Sequence, residues 1–147
     1  TEDIDLYVAD CSNNRIQLFH PDLRNGTTVA GSGLNGSIVL SCPVAVAFDN
    51  YGNMYISDYY NHRVVASGAD GLRCILGCSG SFGSGPDQLN YPWALSFDIE
   101  GNIFVLDSYN FRLQRFSLLD NSCSECFPTT KLCPLRPSSF QINQHPH

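Results

Sequence analysis

Met54-Tyr55-Ile56-Ser57-Asp58-Tyr59-Tyr60-Asn61-His62-Arg63-Val64 is the stretch on which the reading of this sequence turns. An apolar run ends in an aspartate, a polar turn follows, and an arginine opens a second apolar run. The same order stands at Leu6-Tyr7-Val8-Ala9-Asp10-Cys11-Ser12-Asn13-Asn14-Arg15-Ile16 and at Ile103-Phe104-Val105-Leu106-Asp107-Ser108-Tyr109-Asn110-Phe111-Arg112-Leu113. The three segments align without gaps, each carries Asp-x-x-Asn-x-Arg, and their aspartates lie 48 and 49 positions apart. A second element precedes the later two copies: Pro43-Val44-Ala45-Val46-Ala47-Phe48-Asp49-Asn50-Tyr51-Gly52-Asn53 recurs as Pro92-Trp93-Ala94-Leu95-Ser96-Phe97-Asp98-Ile99-Glu100-Gly101-Asn102, at an offset of 49 throughout. Identities accumulated at one offset mark internal repeats, each a structural unit that needs neighbours to bury its apolar faces.

Each unit reads as strands. Pro43 to Phe48 is an apolar run of β-branched and small residues, as in a buried strand. Asn50 to Asn53, with Gly52, reads as a hairpin turn, and Met54 to Ser57 as the second strand. Asp58 to His62 is the next turn, Arg63 to Ser67 the third strand, and Arg73 to Gly77 a short fourth. Four antiparallel strands in such a unit is the size of a propeller blade. The units are placed at about 1–31, 43–77 and 92–119, within one region 1–119. The first lacks an inner strand and the last lacks an evident outer one.

The pattern Pro-x-x-(small)-x-x-Phe-Asp-x-x-Gly-Asn, apolar strand, Asp-x-x-Asn-x-Arg, apolar strand resembles the NHL repeat over residues 5–119. The resemblance implies an all-β fold, a partial propeller of four-stranded antiparallel blades whose parent has six. The chain opens inside a repeat and is therefore read as a fragment, so that the absence of a leader carries no weight. Either a longer parent closes the ring, or two copies associate head to tail.

The repeated motif has a structural reading. Asp10, Asp58 and Asp107 end strands, where a carboxylate can accept bonds from the turn's backbone N–H groups. Asn13, Asn61 and Asn110 suit left-handed backbone angles. Arg15, Arg63 and Arg112 open the next strand and can pair with an aspartate. Asp49 and Asp98 end the inner strands; they are read as capping their own turns, against the alternative of a carboxylate ring holding a hard cation.

Strand direction then sorts the loops. Inner strands begin on the rim to which the second-to-third-strand turns return, and loops 32–42 and 78–91 lie there too. That rim gathers Tyr59, Tyr60, His62, Tyr91, Trp93, Tyr109 and Phe111, and aromatic side chains with polar tips are usual anchors of recognition.

Composition narrows the function. A formal charge of −6 disfavours nucleic acid on average. No apolar run approaches the roughly 20 residues of a membrane span. Seven cysteines and two sequons, Asn25-Gly26-Thr27 and Asn35-Gly36-Ser37, favour an extracellular or extracytoplasmic setting. Cys74 and Cys78 would lie roughly 13 Å apart in one extended strand, too far to bridge unless the chain turns at Gly77. Residues 120–147 leave the repeat and read as an irregular tail. There Cys123, Cys126 and Cys133 are taken as disulfide candidates in preference to a zinc site with His145 or His147. No metal or other cofactor is assigned.

No His-x-Glu, Gly-x-Ser-x-Gly or paired-histidine motif is present. The expectation is therefore a non-catalytic binding or scaffolding module with a protein partner. The resemblance also carries two alternatives: a fragment of a metal-dependent propeller lyase or hydrolase, and the adaptor part of a ubiquitin ligase.

Overall fold

A computed structural model describes residues 4–68, 71–117 and 136–138. The chain is all-β: eleven strands in three antiparallel sheets, with short 3₁₀ turns and no α-helix among the described residues. The first sheet holds β1 (Leu6–Asp10), β2 (Arg15–Phe19) and β3 (Thr27–Gly31). The second holds β4 (Pro43–Phe48), β5 (Met54–Asp58), β6 (Arg63–Gly68) and β7 (Gly71–Leu76), in that order. The third runs β8 (Pro92–Phe97), β9 (Ile103–Asp107), β10 (Arg112–Ser117) and β11 (Arg136–Ser138). The order in every sheet is that of a hairpin meander, one blade per repeat. The first blade has three strands, as the repeat alignment expects. The last has an outer strand, β11, paired with β10 and drawn from beyond the recognisable repeat. The remainder of 120–147, including Cys123, Cys126 and Cys133, lies outside the described residues.

The two inner hairpins are copies of each other. Phe48 pairs with Met54 and Phe97 with Ile103, and both ladders slip at the start, between Pro43 and Ala45 and between Pro92 and Ala94. A proline tolerates the first position of a strand because its missing N–H leaves the ladder intact. At the hairpin tips the Asp49 and Asp98 carboxylates close the turns. Asp49 Oδ1 accepts the N–H groups of Tyr51 and Asn53, and Asp98 Oδ1 those of Glu100 and Asn102. Gly52 and Gly101 have φ of +80° and +83°, the left-handed region that a side chain disfavours.

The core lies between blades. Ile16 and Ala30 of the first blade pack with Met54, Ile56 and Val65 of the second. Tyr55, Val64 and Ala66, on the opposite face of the second blade, pack with Ile103, Val105 and Phe116 of the third. Period-two alternation thus feeds both faces of one sheet, and every residue of β5 is buried. Full burial of such a side chain contributes about 1.5–3 kcal/mol. Among the described residues, the outer faces of the array lack this cover. Leu6 is 60% exposed, whereas Met54 at the same repeat position is 8% exposed.

Two disulfides tie the described residues, Cys11–Cys42 and Cys74–Cys78. The second forms because Gly77, at φ +69°, turns the chain back between its cysteines. The first joins the first blade to the strand entry of the second, a pairing that cysteine spacing alone left unassigned. No helix among the described residues is long and apolar enough to cross a membrane.

A candidate binding face on the turn rim

The rim is built on the Asp-x-x-Asn-x-Arg turns. Asp58 is fully buried; its Oδ2 accepts from Asn61 Nδ2 and Arg63 Nε, each at 2.8 Å, and its Oδ1 from the Ser41 N–H at 2.7 Å. Asp107, also fully buried, repeats this with Asn110, Arg112 and the Asn90 N–H, and adds Gln114 Nε2 at 3.1 Å. Asp10 holds Asn13 and Arg15 in the same way but is 24% exposed. Those bonds hold the Asp10 carboxyl below its usual range, Arg15 first and Asn13 second.

Two expectations are corrected here. Asp58 and Asp107 reach across to a backbone N–H of the loop entering the same blade, and only at Asp10 does a backbone N–H of its own turn, that of Asn13, contribute as expected. The left-handed residues are Asn14, His62 and Phe111, at φ of 55°, 52° and 50°, one position after the expected asparagines. Asn13, Asn61 and Asn110 end a 3₁₀ turn, which aims each amide back at its aspartate.

The arginines then fasten the long loops. Arg63 donates to the Val39 carbonyl, and Arg112 to those of Ser84, Gly85 and Gln88. The backbone adds Tyr60 N–H to Ser41 and Tyr109 N–H to Asn90. Adjacent blades are also linked at the rim. Asn14 Oδ1 accepts the Cys42 N–H at 2.8 Å, and His62 Nδ1 accepts the Tyr91 N–H at 3.2 Å. His62 must therefore be neutral, with its proton on Nε2.

Burial holds the His62 imidazole below its ordinary value, and the nearby Asp107 opposes this. A folded value below the unfolded one means that the stabilisation is present above about pH 6.5 and is lost as pH falls through the folded value. The H62N variant is expected to keep the bond, because Asn14 makes the same bond one blade earlier, and to reduce the drop in urea midpoint between pH 7 and pH 5. An equal drop in both proteins would refute this.

On this frame stands a contiguous aromatic cluster. Tyr59 lies 4.9 Å from Tyr91 and 5.5 Å from Trp93, centroid to centroid. Tyr91 in turn meets Tyr109 at 4.5 Å, His62 at 4.3 Å and Tyr60 at 6.1 Å. Burial among the rings, with Tyr109 and Tyr60 beside it, pushes the Tyr59 phenol up. Six of the seven expected residues are thus brought together. The seventh, Phe111, makes no ring contact among the described residues and is 85% exposed. Phe82 joins the cluster through His62 at 5.2 Å. The sequence reading missed it, although a single aromatic in the Ser/Gly run of residues 79–85 was a signal.

The cluster's outer edge faces water: Tyr60 is 58%, Trp93 54%, Tyr109 60% and Phe82 63% exposed. These residues sit where the repeats differ. Tyr59 and Tyr91 stand at the repeat positions of Cys11 and Cys42, so a ring contact at one blade junction replaces a disulfide at the other. Trp93 stands where the second blade has Val44. The turn lock is thus common to all three units, and the aromatic cover is confined to blades two and three. No group of three His, Cys, Asp or Glu side chains among the described residues is arranged to hold a metal.

The NHL repeat family matches residues 89–116, which span the entry, β8, β9 and most of β10 of the third blade. Comparison with curated proteins gives no match. Among solved structures, the chain is similar to a protein of unknown function from Bacteroides thetaiotaomicron VPI-5482. The TM-score is 0.66 at 16% identity, over 76% of this chain and 32% of that one. It is also similar to a virginiamycin B lyase from Staphylococcus aureus, with a TM-score of 0.55 at 11% identity, over 80% of this chain and 36% of that one. At these identities the likeness concerns the fold alone. The chain spans about a third of the length of either structure.

Proposed function

We propose that this array of NHL-type blades is a non-catalytic binding module whose aromatic rim receives a protein partner. The observation that carries the reading is the contiguous set of half-exposed rings on two rigidly clamped turns. Large, stiff, amphipathic side chains on a pre-organised frame bury much area at low entropic cost. The open outer faces, with Leu6 and Val8 on the first blade and Leu106 on the last, are where further blades of a parent chain or a second copy would stack. The two disulfides support an extracellular setting.

Trp93 is the single tryptophan of the chain, so its emission reports on the rim directly. Proteins retained from extracellular fluid on the immobilised chain are to be purified singly and titrated against it. A partner of the rim shifts Trp93 emission, and Y60A and Y109A each weaken it about thirtyfold, the scale of a hot-spot residue. A partner that binds both variants as well as the parent chain, with Trp93 silent, sinks the reading. The lyase alternative predicts stoichiometric metal in purified protein, which elemental analysis tests separately.

A further inference from the structure

We infer that Asn25 and Asn35 are acceptor sites for N-linked oligosaccharide. Both begin an Asn-x-Ser/Thr sequon, Asn25-Gly26-Thr27 and Asn35-Gly36-Ser37. Such tripeptides also recur by chance, and a copy whose asparagine is engaged in the fold is no acceptor. In this chain the working asparagines are easily recognised. Asn13, Asn53, Asn61, Asn102 and Asn110 all donate through Nδ2 to carboxylates.

Neither Asn25 nor Asn35 has any such engagement among the described residues, and both are exposed. Asn25 lies in the connection between β2 and β3. Asn35 occupies the second position of a turn closed by the Ser37 N–H on the Leu34 carbonyl, with Gly36 at φ +74°. The two disulfides supply an independent observation, since they belong to the oxidising compartment in which sequons are read.

The donor is a lipid-linked oligosaccharyl pyrophosphate. The Asn Nδ2–C1 bond forms, the C1–O bond to pyrophosphate breaks, the amide gives up one proton, and lipid pyrophosphate leaves without change of oxidation state. Asn25 lies on the rim opposite the aromatic cluster, in a connection within the first blade, and Asn35 on the cluster's own rim, in the loop that leaves the first blade. The aromatic rings belong to the second and third blades.

The test is translation of the full chain behind a cleavable signal sequence with microsomes, followed by release with peptide N-glycosidase in ¹⁸O-water and peptide mapping. The expected result is ¹⁸O-aspartate at both positions. It should be lost at 25 in N25Q and in T27A, which keeps the asparagine, and lost at 35 in N35Q. Spontaneous deamidation, to which Asn-Gly is prone, also takes up label when it occurs in ¹⁸O-water, so a parallel incubation without the glycosidase must leave positions 25 and 35 unlabelled. Because glycan addition is read on the translocated chain, a variant that folds poorly still reports. Unlabelled peptides at both positions overturn the proposal, and labelling at one alone overturns it for the other.

Discussion

Replacing Asp58 or Asp107 by alanine is expected to cost about 3–5 kcal/mol, and the same change at the solvent-accessible Asp10 to cost clearly less. The three residues hold one repeat position and make the same bonds to Asn at +3 and Arg at +5. They differ in surroundings. Asp58 and Asp107 have no exposed side-chain surface, and their arginines are only 22% and 19% exposed, against 24% and 35% for Asp10 and Arg15. Removing a buried carboxylate takes the acceptor from an arginine Nε–H, a carboxamide N–H and a loop N–H at once, and the loop N–H and Nε–H are left buried without that partner. At Asp10 water can replace the lost partner. Asp58→Asn and Asp107→Asn should be nearly as harmful, because the new amide brings a donor into a site of donors. Urea unfolding followed by circular dichroism checks the order. Equal and small losses at all three positions would mean that the clamp contributes little to stability.

The frame was legible in the sequence because its parts recur. A strand from Pro43 to Phe48 was read from a run of apolar residues bounded by proline and an Asp-x-x-Gly-Asn turn, and its bounds match β4. Strand direction then sufficed to gather Tyr59, Tyr60, Tyr91, Trp93 and Tyr109 on one rim. What escaped was set inside the turn. Asparagine is the usual left-handed residue, so Asn61 and Asn110 were expected to take that role. Yet an amide can bridge to Asp58 or Asp107 only from the end of the 3₁₀ turn, and the left-handed angle passes to the next position. There the sequence offers Asn14, His62 and Phe111, of which only the first advertises it. The outer strand β11 escaped because Arg136–Ser138 carries no repeat signature, and its place is visible only in the ladder with β10.

The Cys11–Cys42 bridge was hidden by an odd count of cysteines, although the repeat register pointed to it. Cys11 follows the clamp aspartate and Cys42 precedes the blade-opening proline, the positions of Tyr59 and Tyr91 one blade later. The two junctions are therefore fastened differently, one by a covalent bond and one by packed rings. This leads to the second large expected effect. Cys11 and Cys42 are 31 residues apart, and closing a loop of that length removes enough unfolded-chain entropy for about 3–4 kcal/mol. Cys74 and Cys78 are 4 apart and should contribute about 2 kcal/mol.

Urea unfolding of C11S/C42S and C74S/C78S double variants against the oxidised parent measures both. The effect should also be local. In C11S/C42S the first junction keeps the Asn14 bond to the Cys42-position N–H but loses its covalent tie, so amide exchange is expected to quicken first around Ile16 and Ala30. The Trp93 environment, two blades along and held by Tyr59 and Tyr91, should stay native at the same urea concentration. If C11S/C42S unfolds at the parent's midpoint, the bridge is not what couples the first blade to the second. If Trp93 is released together with Ile16, the blades unfold as one unit, and the ring contact does not make the second junction independent of the first.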